Sequence, residues 1–194
     1  TSDGEIFTGV LVETVRVRAA ERRKRLQREA TRQRKQDQRP RRVLRALQRL
    51  GRKEGRFRQH ANHCISKKIV QVAKDTKRGI AVEDLTHIRA RIRFAKAQRA
   101  RMGGWAFAQL QLFLSYKAQQ AGVPFEKVNA RYTSQTCHAC GHCDRANRPD
   151  QARFACTACE HTAHADVNAA QNIAARGVCN APTGVVLPLQ QIAA

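Results

Sequence analysis

Two cysteine pairs, Cys137-His-Ala-Cys140 and Cys156-Thr-Ala-Cys159, stand 15 residues apart and constrain this chain more than any other feature. Two residues between ligands let a tight turn aim both thiolates at one ion. The intervening loop then brings the second pair round to complete a tetrahedron. Gly141 follows the first pair, where a turn often needs positive φ. Cys140-Gly-His-Cys143 is a second possible pair, so Cys143 is an alternative to Cys137; the 137/140 pairing is preferred because the glycine then follows it. His138, His142, His161 and His164 are substitute ligands, but four cysteines leave them no vacancy. A site closed by Cys137, Cys140, Cys156 and Cys159 has no open position, which points to one structural Zn2+ and away from catalysis at that ion. Seven cysteines is an odd number, and six of them follow residue 130. With no signal-like N-terminus, this pattern implies metal chemistry in the reducing cytoplasm and not a disulfide framework.

The partner of such a chain is set by its charge. A formal net charge of +22, from 37 Lys and Arg against 15 Asp and Glu, predicts attraction to a polyanion, with DNA or RNA the default. An anionic membrane surface is the rival, but no apolar run approaches the length of a bilayer span. The charge is uneven: residues 16–58 hold 19 Lys and Arg and 4 acids. Arg22, Arg23, Lys24, Arg25, Arg28, Arg41, Arg42 and Arg45 are the candidate phosphate contacts there. Pro40 splits this stretch into two expected helices, the first very polar, the second with Val43, Leu44, Leu47 and Leu50 at helical spacing. A solvated, partly disordered arm is the alternative, since so few apolar residues offset little ordering entropy.

Elsewhere the pattern is that of an α/β core. Ile6 to Val12 is β-rich and reads as a short strand. Cys64, Ile65, Ile69, Val72 and Ala73 mark the apolar face of a helix within 60–77. Gly79-Ile-Ala-Val82 reads as a buried strand ending at Glu83-Asp84, and 86–102 as a basic loop closed by Gly103-Gly104. A helix from Trp105 to Gln120, with Phe107, Leu110, Phe113 and Leu114 inward, stops at Gly122. Val123 to Val128 follows as a strand near an edge, given Pro124. A last helix runs from Val167 to Arg176, with Gly177 as its stop. The charge-free tail, 178–194, orders only by packing on something.

Few acids are available for chemistry. Glu83 sits at the carboxyl end of a strand, where ligands of α/β sheets bind; an exposed strand-end acid is the plain alternative. Asp166 precedes an alanine-rich helix, where the plain role is an N-cap. Carboxylates that converge repel unless cations sit among them, an arrangement suited to Mg2+ and to phosphodiester cleavage. Arg131 and Gln135 flank the first knuckle, where nucleic-acid contact and a loop role both stay open.

Three segments together carry a resemblance: Gly79-Ile-Ala-Val-Glu83-Asp-Leu, Tyr132-Thr-Ser-Gln-Thr-Cys-His-Ala-Cys-Gly141, and Asp166-Val-Asn-Ala-Ala-Gln-Asn-Ile173. In order and spacing they resemble the C-terminal half of the TnpB (OrfB-type) transposon proteins, RNA-guided DNA endonucleases related to the type V CRISPR effectors. The resemblance implies an α/β, RuvC-like fold of the ribonuclease H type that lacks its first strand. A basic helical insertion and an inserted zinc ribbon would complete it. Its implied parts are remnant N-terminal strands at 1–15, the basic insertion at 16–58, the core at 59–130, the ribbon at 131–165, a final helix at 166–177 and the tail. Glu83 matches the family's second catalytic carboxylate and Asp166 its third, both holding Mg2+ beside the structural Zn2+; DNA and a guide RNA are the implied partners. The family's first catalytic Asp, in a Gly-Ile-Asp-like strand, has no match here, and Asp3 is a poor substitute. The chain also opens without Met on Thr1-Ser-Asp-Gly, which reads as the interior of a longer protein. Glu160 ends the second knuckle where a glycine is usual, and His164-Ala165 precedes Asp166 where charged residues are common. The competing readings are a truncated or decayed binding module without nuclease activity, and a zinc-ribbon transcription or ribosome-associated factor. The last leaves Glu83 and Asp166 unexplained.

Overall fold

A computed structural model describes residues 1–84 and 107–177; the expected basic loop, Trp105, Cys179 and the tail lie outside them. The described elements are α1 (Val10–Lys35), α2 (Arg41–Asp75), β1 (Ile80–Glu83), α3 (Phe107–Ala121), β2 (Phe125–Val128), a 3-10 turn (Arg145–Asn147), β3 (Arg153–Ala155), β4 (Thr162–His164) and α4 (Ala165–Arg176). The chain divides into two compact units, residues 7–65 and residues 1–6 with 66 onward.

In the second unit the expected order of helix, strand, helix and strand is found, and it makes a mixed α/β core. β1 and β2 pair in parallel, from Ile80 opposite Phe125 to Glu83 opposite Val128. Val70 and Ala73 of α2, Ile80 of β1, and Leu114 and Ala118 of α3 are buried together with Val123. Ala73, Ile80 and Leu114 lie where the sequence expected burial, with Ile69 and Leu110 packed against them. Val70 and Ala118 were not assigned inward, and Cys64 and Val72, which were, stay exposed, because only one narrow stripe of each helix can reach a two-stranded sheet. Gly122, at φ +68°, ends α3, and the Val123 amide turns back to the Ala118 carbonyl at 2.9 Å. Beyond β2 a short antiparallel hairpin, β3 with β4, leads directly into α4, which packs on β1.

Two expectations fail. Residues 5–9 form no strand: α1 begins at Val10, and Leu11 and Val10 stay exposed. The β-branched run is too short to outweigh the helical stretch that follows it. The expected pair of helices on either side of residue 59 is one 35-residue helix, α2. No proline interrupts it, and Gly51 and Gly55 have open space around them, so they weaken the helix without stopping it.

The first unit is helical. Pro40 separates α1 from α2 as expected, and the Leu44 amide bonds the Pro40 carbonyl at 2.9 Å. Ala19, Ala30 and Val43 are buried, whereas Leu44 points outward. Small side chains let two polar helices approach, and the Arg23 guanidinium meets Glu54 across them at 2.7 Å.

Candidate metal centre and carboxylate edge

Each cysteine pair sits on a turn closed in the same way. The Cys137 amide donates to the His142 carbonyl at 2.8 Å, and the Cys156 amide to the His161 carbonyl at 2.9 Å. Both turns pass through the left-handed region, at Gly141 (φ +76°) in the first and Glu160 (φ +58°) in the second. The two knuckles therefore repeat one conformation, and only the first uses the residue suited to it.

The turns bring the four sulfurs within 4.8 Å of one another. Cys137 and Cys159 are 3.7 Å apart, Cys140 and Cys156 3.6 Å. Four thiolates about 2.3 Å from one ion in a tetrahedron lie about 3.8 Å apart, so the spacing fits a bound metal and is far too long for disulfides. Cys143 lies outside this group, in a bridge opposite Thr136. At Cys156 burial opposes ionisation, but the Ala158 and Cys159 amides, with the neighbouring thiols, outweigh it and bring the thiol down to about 6. The His161 amide favours the Cys159 thiolate, yet Cys140, burial, Cys156 and Cys137 push it up to about 12. One thiol of the cluster gives up its proton readily and another resists, as expected where four like groups lie this close together.

Three buried asparagines hold the module together, and the sequence reading missed all three. Asn147 donates to the Gln135 and His142 carbonyls at 2.9 and 3.2 Å and accepts from the Thr157 amide and hydroxyl at 2.9 and 3.0 Å. It thus joins one knuckle to the other. Asn168 of α4 accepts from the His138 amide at 3.0 Å and donates to the Thr136 carbonyl at 2.8 Å. Asn172, one turn on, donates to the Thr133 and Thr136 carbonyls. Their only sequence signal was two asparagines four apart on one helix face.

The same network reaches Glu83. Thr133 is buried, and its hydroxyl lies 3.0 Å from Glu83 Oε1 and 3.0 Å from the Ala130 carbonyl. Gln111 of α3 fixes the Glu83 carbonyl at 2.6 Å. Asp166 lies in the first turn of α4, but His164 is the N-cap: its Nδ1 accepts from the Asp166 amide at 3.2 Å. Asp166 instead faces solvent, with Arg148 3.3 Å from its Oδ1. Asp3 is taken by Arg78, in a two-bond ion pair at 2.7 and 2.8 Å. Of the basic candidates, Arg23 is committed to Glu54, while Arg22, Lys24, Arg25, Arg28, Arg41, Arg42 and Arg45 are exposed. Lys24, Gln27, Arg28, Thr31, Arg32 and Lys35 line an open trough along α1 of about 530 Å³.

Fold and site together define a mixed α/β protein with a four-cysteine cluster that could hold a metal ion, followed by a helix that packs on a parallel strand pair. The Cas12f1-like, TNB domain family matches residues 107–173, from α3 to near the end of α4. The CRISPR-associated endodeoxyribonuclease Cas12f1 of Sulfoacidibacillus thermotolerans is 41% identical over 133 residues, which is 68% of this chain and 30% of that protein. TnpB-like protein MJ0751 of Methanocaldococcus jannaschii is 34% identical over 110 residues, 56% of this chain and 40% of that one. A solved Cas12f1–sgRNA–target DNA complex is similar in fold, with a TM-score of 0.56 at 26% identity, covering 69% of this chain and 38% of that one. The chain belongs to the TnpB-like family that includes the Cas12f proteins. It spans well under half the length of these relatives. No described helix is long and apolar enough to cross a membrane.

Proposed function

We propose that this chain is the C-terminal part of an RNA-guided DNA endonuclease, with a RuvC-like core in which Glu83 and Asp166 are two of the metal-binding carboxylates. The observation that carries the reading is the placement of Glu83. It ends a parallel strand, and its carboxylate is held by Thr133, which α4 in turn clamps through Asn172. Asp166 begins that same helix, and α4 packs on β1. One Glu83 oxygen accepts from Thr133 and leaves the other for a cation, and the exposed Asp166 carboxylate is a second donor; both are hard oxygens suited to Mg2+. When bound there, Mg2+ supplies activation of water and charge stabilisation at a scissile phosphodiester. Thr133 orients Glu83, and Arg148 pairs with Asp166.

Cys137, Cys140, Cys156 and Cys159 hold Zn2+ as a structural ion, which fixes the segment preceding α4. The exposed basic residues of α1 and α2, in a separate insertion, follow a nucleic-acid backbone with little regard to sequence. Guide RNA and target DNA, as in the similar Cas12f1 complex, are the fitting partners. A second reading, a binding module that does not cut, has one observation behind it: no Gly-Ile-Asp-like strand motif occurs in the chain, and Asp3 is bound to Arg78.

In the protein extended through its upstream coding sequence, Glu83→Gln and Asp166→Asn abolish Mg2+-dependent cleavage and leave DNA binding unchanged. Undiminished cleavage by either variant overturns the assignment. Metal analysis of the chain itself finds one zinc, and reduced, folded protein without it refutes the zinc site.

A further inference from the structure

Tyr132 is half exposed, and its backbone lies in the left-handed region at φ +64°. A bulky residue is seldom found there, and such a conformation persists only where its surroundings impose it. Here they do. The Tyr132 carbonyl accepts from the Gln135 and Thr136 amides, both at 3.0 Å, and from the Thr136 hydroxyl at 2.9 Å. Just before it, Arg176 donates to the Asn129 and Arg131 carbonyls at 2.8 and 2.7 Å, and the Arg131 amide bonds Asn129 Oδ1. Just after it, Thr133 is the residue that holds Glu83. The loop is fixed along its length, and it holds an aromatic ring out to solvent.

The ring is also backed. The Arg131 guanidinium lies 4.9 Å from the ring centroid, and its Nη2 donates to the Tyr132 hydroxyl at 3.1 Å. An aromatic ring paired with a cation, on a loop whose backbone is already fixed, forms a surface on which a nucleobase stacks with little backbone ordering cost. The next residue touches Glu83, so a strand stacked here passes the carboxylate edge.

We propose that Tyr132, backed by Arg131, is a stacking platform for an unpaired base of a DNA single strand. The placement of that strand at a cleavage site rests on the function proposed above; the platform itself rests on the loop. A duplex hides its base faces, so the contact selects unpaired over paired DNA without reading sequence.

The test uses the zinc-loaded chain and an oligothymidylate carrying one 2-aminopurine, whose fluorescence falls when it stacks. The parent chain binds it and quenches the probe. Tyr132→Phe binds within about twofold, because the ring remains. Tyr132→Ala and Tyr132→Asn both lose the quenching and bind about five- to hundredfold more weakly. Asn accepts the left-handed backbone, so its loss reports the ring and not the loop. Duplex affinity and the salt dependence of binding stay as in the parent, since no phosphate contact is removed. If both variants bind and quench like the parent, the platform is refuted while the nuclease reading stands. If the parent binds no single strand, or binds oligouridylate in preference to oligothymidylate, the proposal as a DNA platform fails.

Discussion

Removal of the Asn147 side chain is the sharpest perturbation available for the metal module, because that residue is no ligand. Asn147 is fully buried and makes four hydrogen bonds, two into each half of the module. In Asn147→Ala the Gln135 carbonyl keeps the Asp144 amide at 3.3 Å and the His142 carbonyl keeps the Cys137 amide at 2.8 Å. Those two losses are therefore partial. The Thr157 amide and hydroxyl lose their bonds to Asn147, but Thr157 is exposed and water reaches it. Four neutral bonds at about 1 kcal/mol each, reduced by this rescue, put the net loss at about 2–4 kcal/mol. Metal binding and folding of a small thiolate module are one equilibrium, so the loss appears as weaker zinc binding, by about 30- to 700-fold. Competition with a chromophoric chelator at fixed pH measures it. Asn147→Asp keeps the acceptor for Thr157 but turns an oxygen toward two carbonyls, so it fares no better than alanine. A variant Asn147→Ala that holds zinc within about threefold of the parent refutes the claim that this side chain joins the knuckles.

The two knuckles differ at the left-handed position, so opposite substitutions have opposite effects. Glu160→Gly raises stability by up to about 1 kcal/mol, and Gly141→Ala lowers it by about 1–2 kcal/mol, both read by denaturant titration of the zinc-loaded chain. The Arg78 hydrogen bonds hold the Asp3 carboxyl below its usual value of 3.8, against the opposing effect of burial. A depressed folded value means stabilisation that is complete above the unfolded carboxyl's pKa and lost as pH falls through the folded one. Asp3→Asn therefore costs less than about 1 kcal/mol at pH 7, given the solvent around the pair, and the cost shrinks as pH falls through the folded carboxyl's lowered value. Lys24→Gln, Arg28→Gln and Arg32→Gln together reduce the slope of log affinity against log salt by up to about three for DNA binding, without change in zinc content. An unchanged slope removes the α1 face from the interface.

The parts of the fold that were legible in the sequence depend on local rules. Cysteine spacing determines which thiolates a turn can aim together, and Gly122 and Gly141 mark the positions where the backbone turns left-handed. Apolar spacing anticipated the buried face of α3 at Leu114 and that of α2 only in part: Ala73 is buried, but Val70 takes the core position and Val72 stays exposed. The strand expected at Ile6–Val12 failed because it rested on a short β-rich run, and the separate helix expected within 60–77 because it rested on a change of composition. Composition shifts where burial shifts, and a continuous helix can pass from one environment into another without a break. Asp166 was misplaced by two residues as a cap because His164, a less usual cap, lies just upstream.

The asparagines were illegible for a different reason. Asn168 and Asn172 read as the polar side of an alanine-rich helix, yet both are buried. The loop they face, from Thr133 to His138, forms no ladder with a strand apart from the single Thr136–Cys143 bridge, so its carbonyls and one amide need partners from outside. An apolar side chain at either position strands those groups, whereas a primary amide donates and accepts at once. This interface demands hydrogen-bond satisfaction, which no hydropathy pattern records. This makes the candidate metal centre and the carboxylate edge mechanically continuous. The loop bonded to Asn168 and Asn172 carries Cys137 at one end and Thr133, the partner of Glu83, at the other. An ion held by the four cysteines would order the cysteine end of this loop and, through Thr133, the Glu83 carboxylate at the other, without touching Glu83 itself.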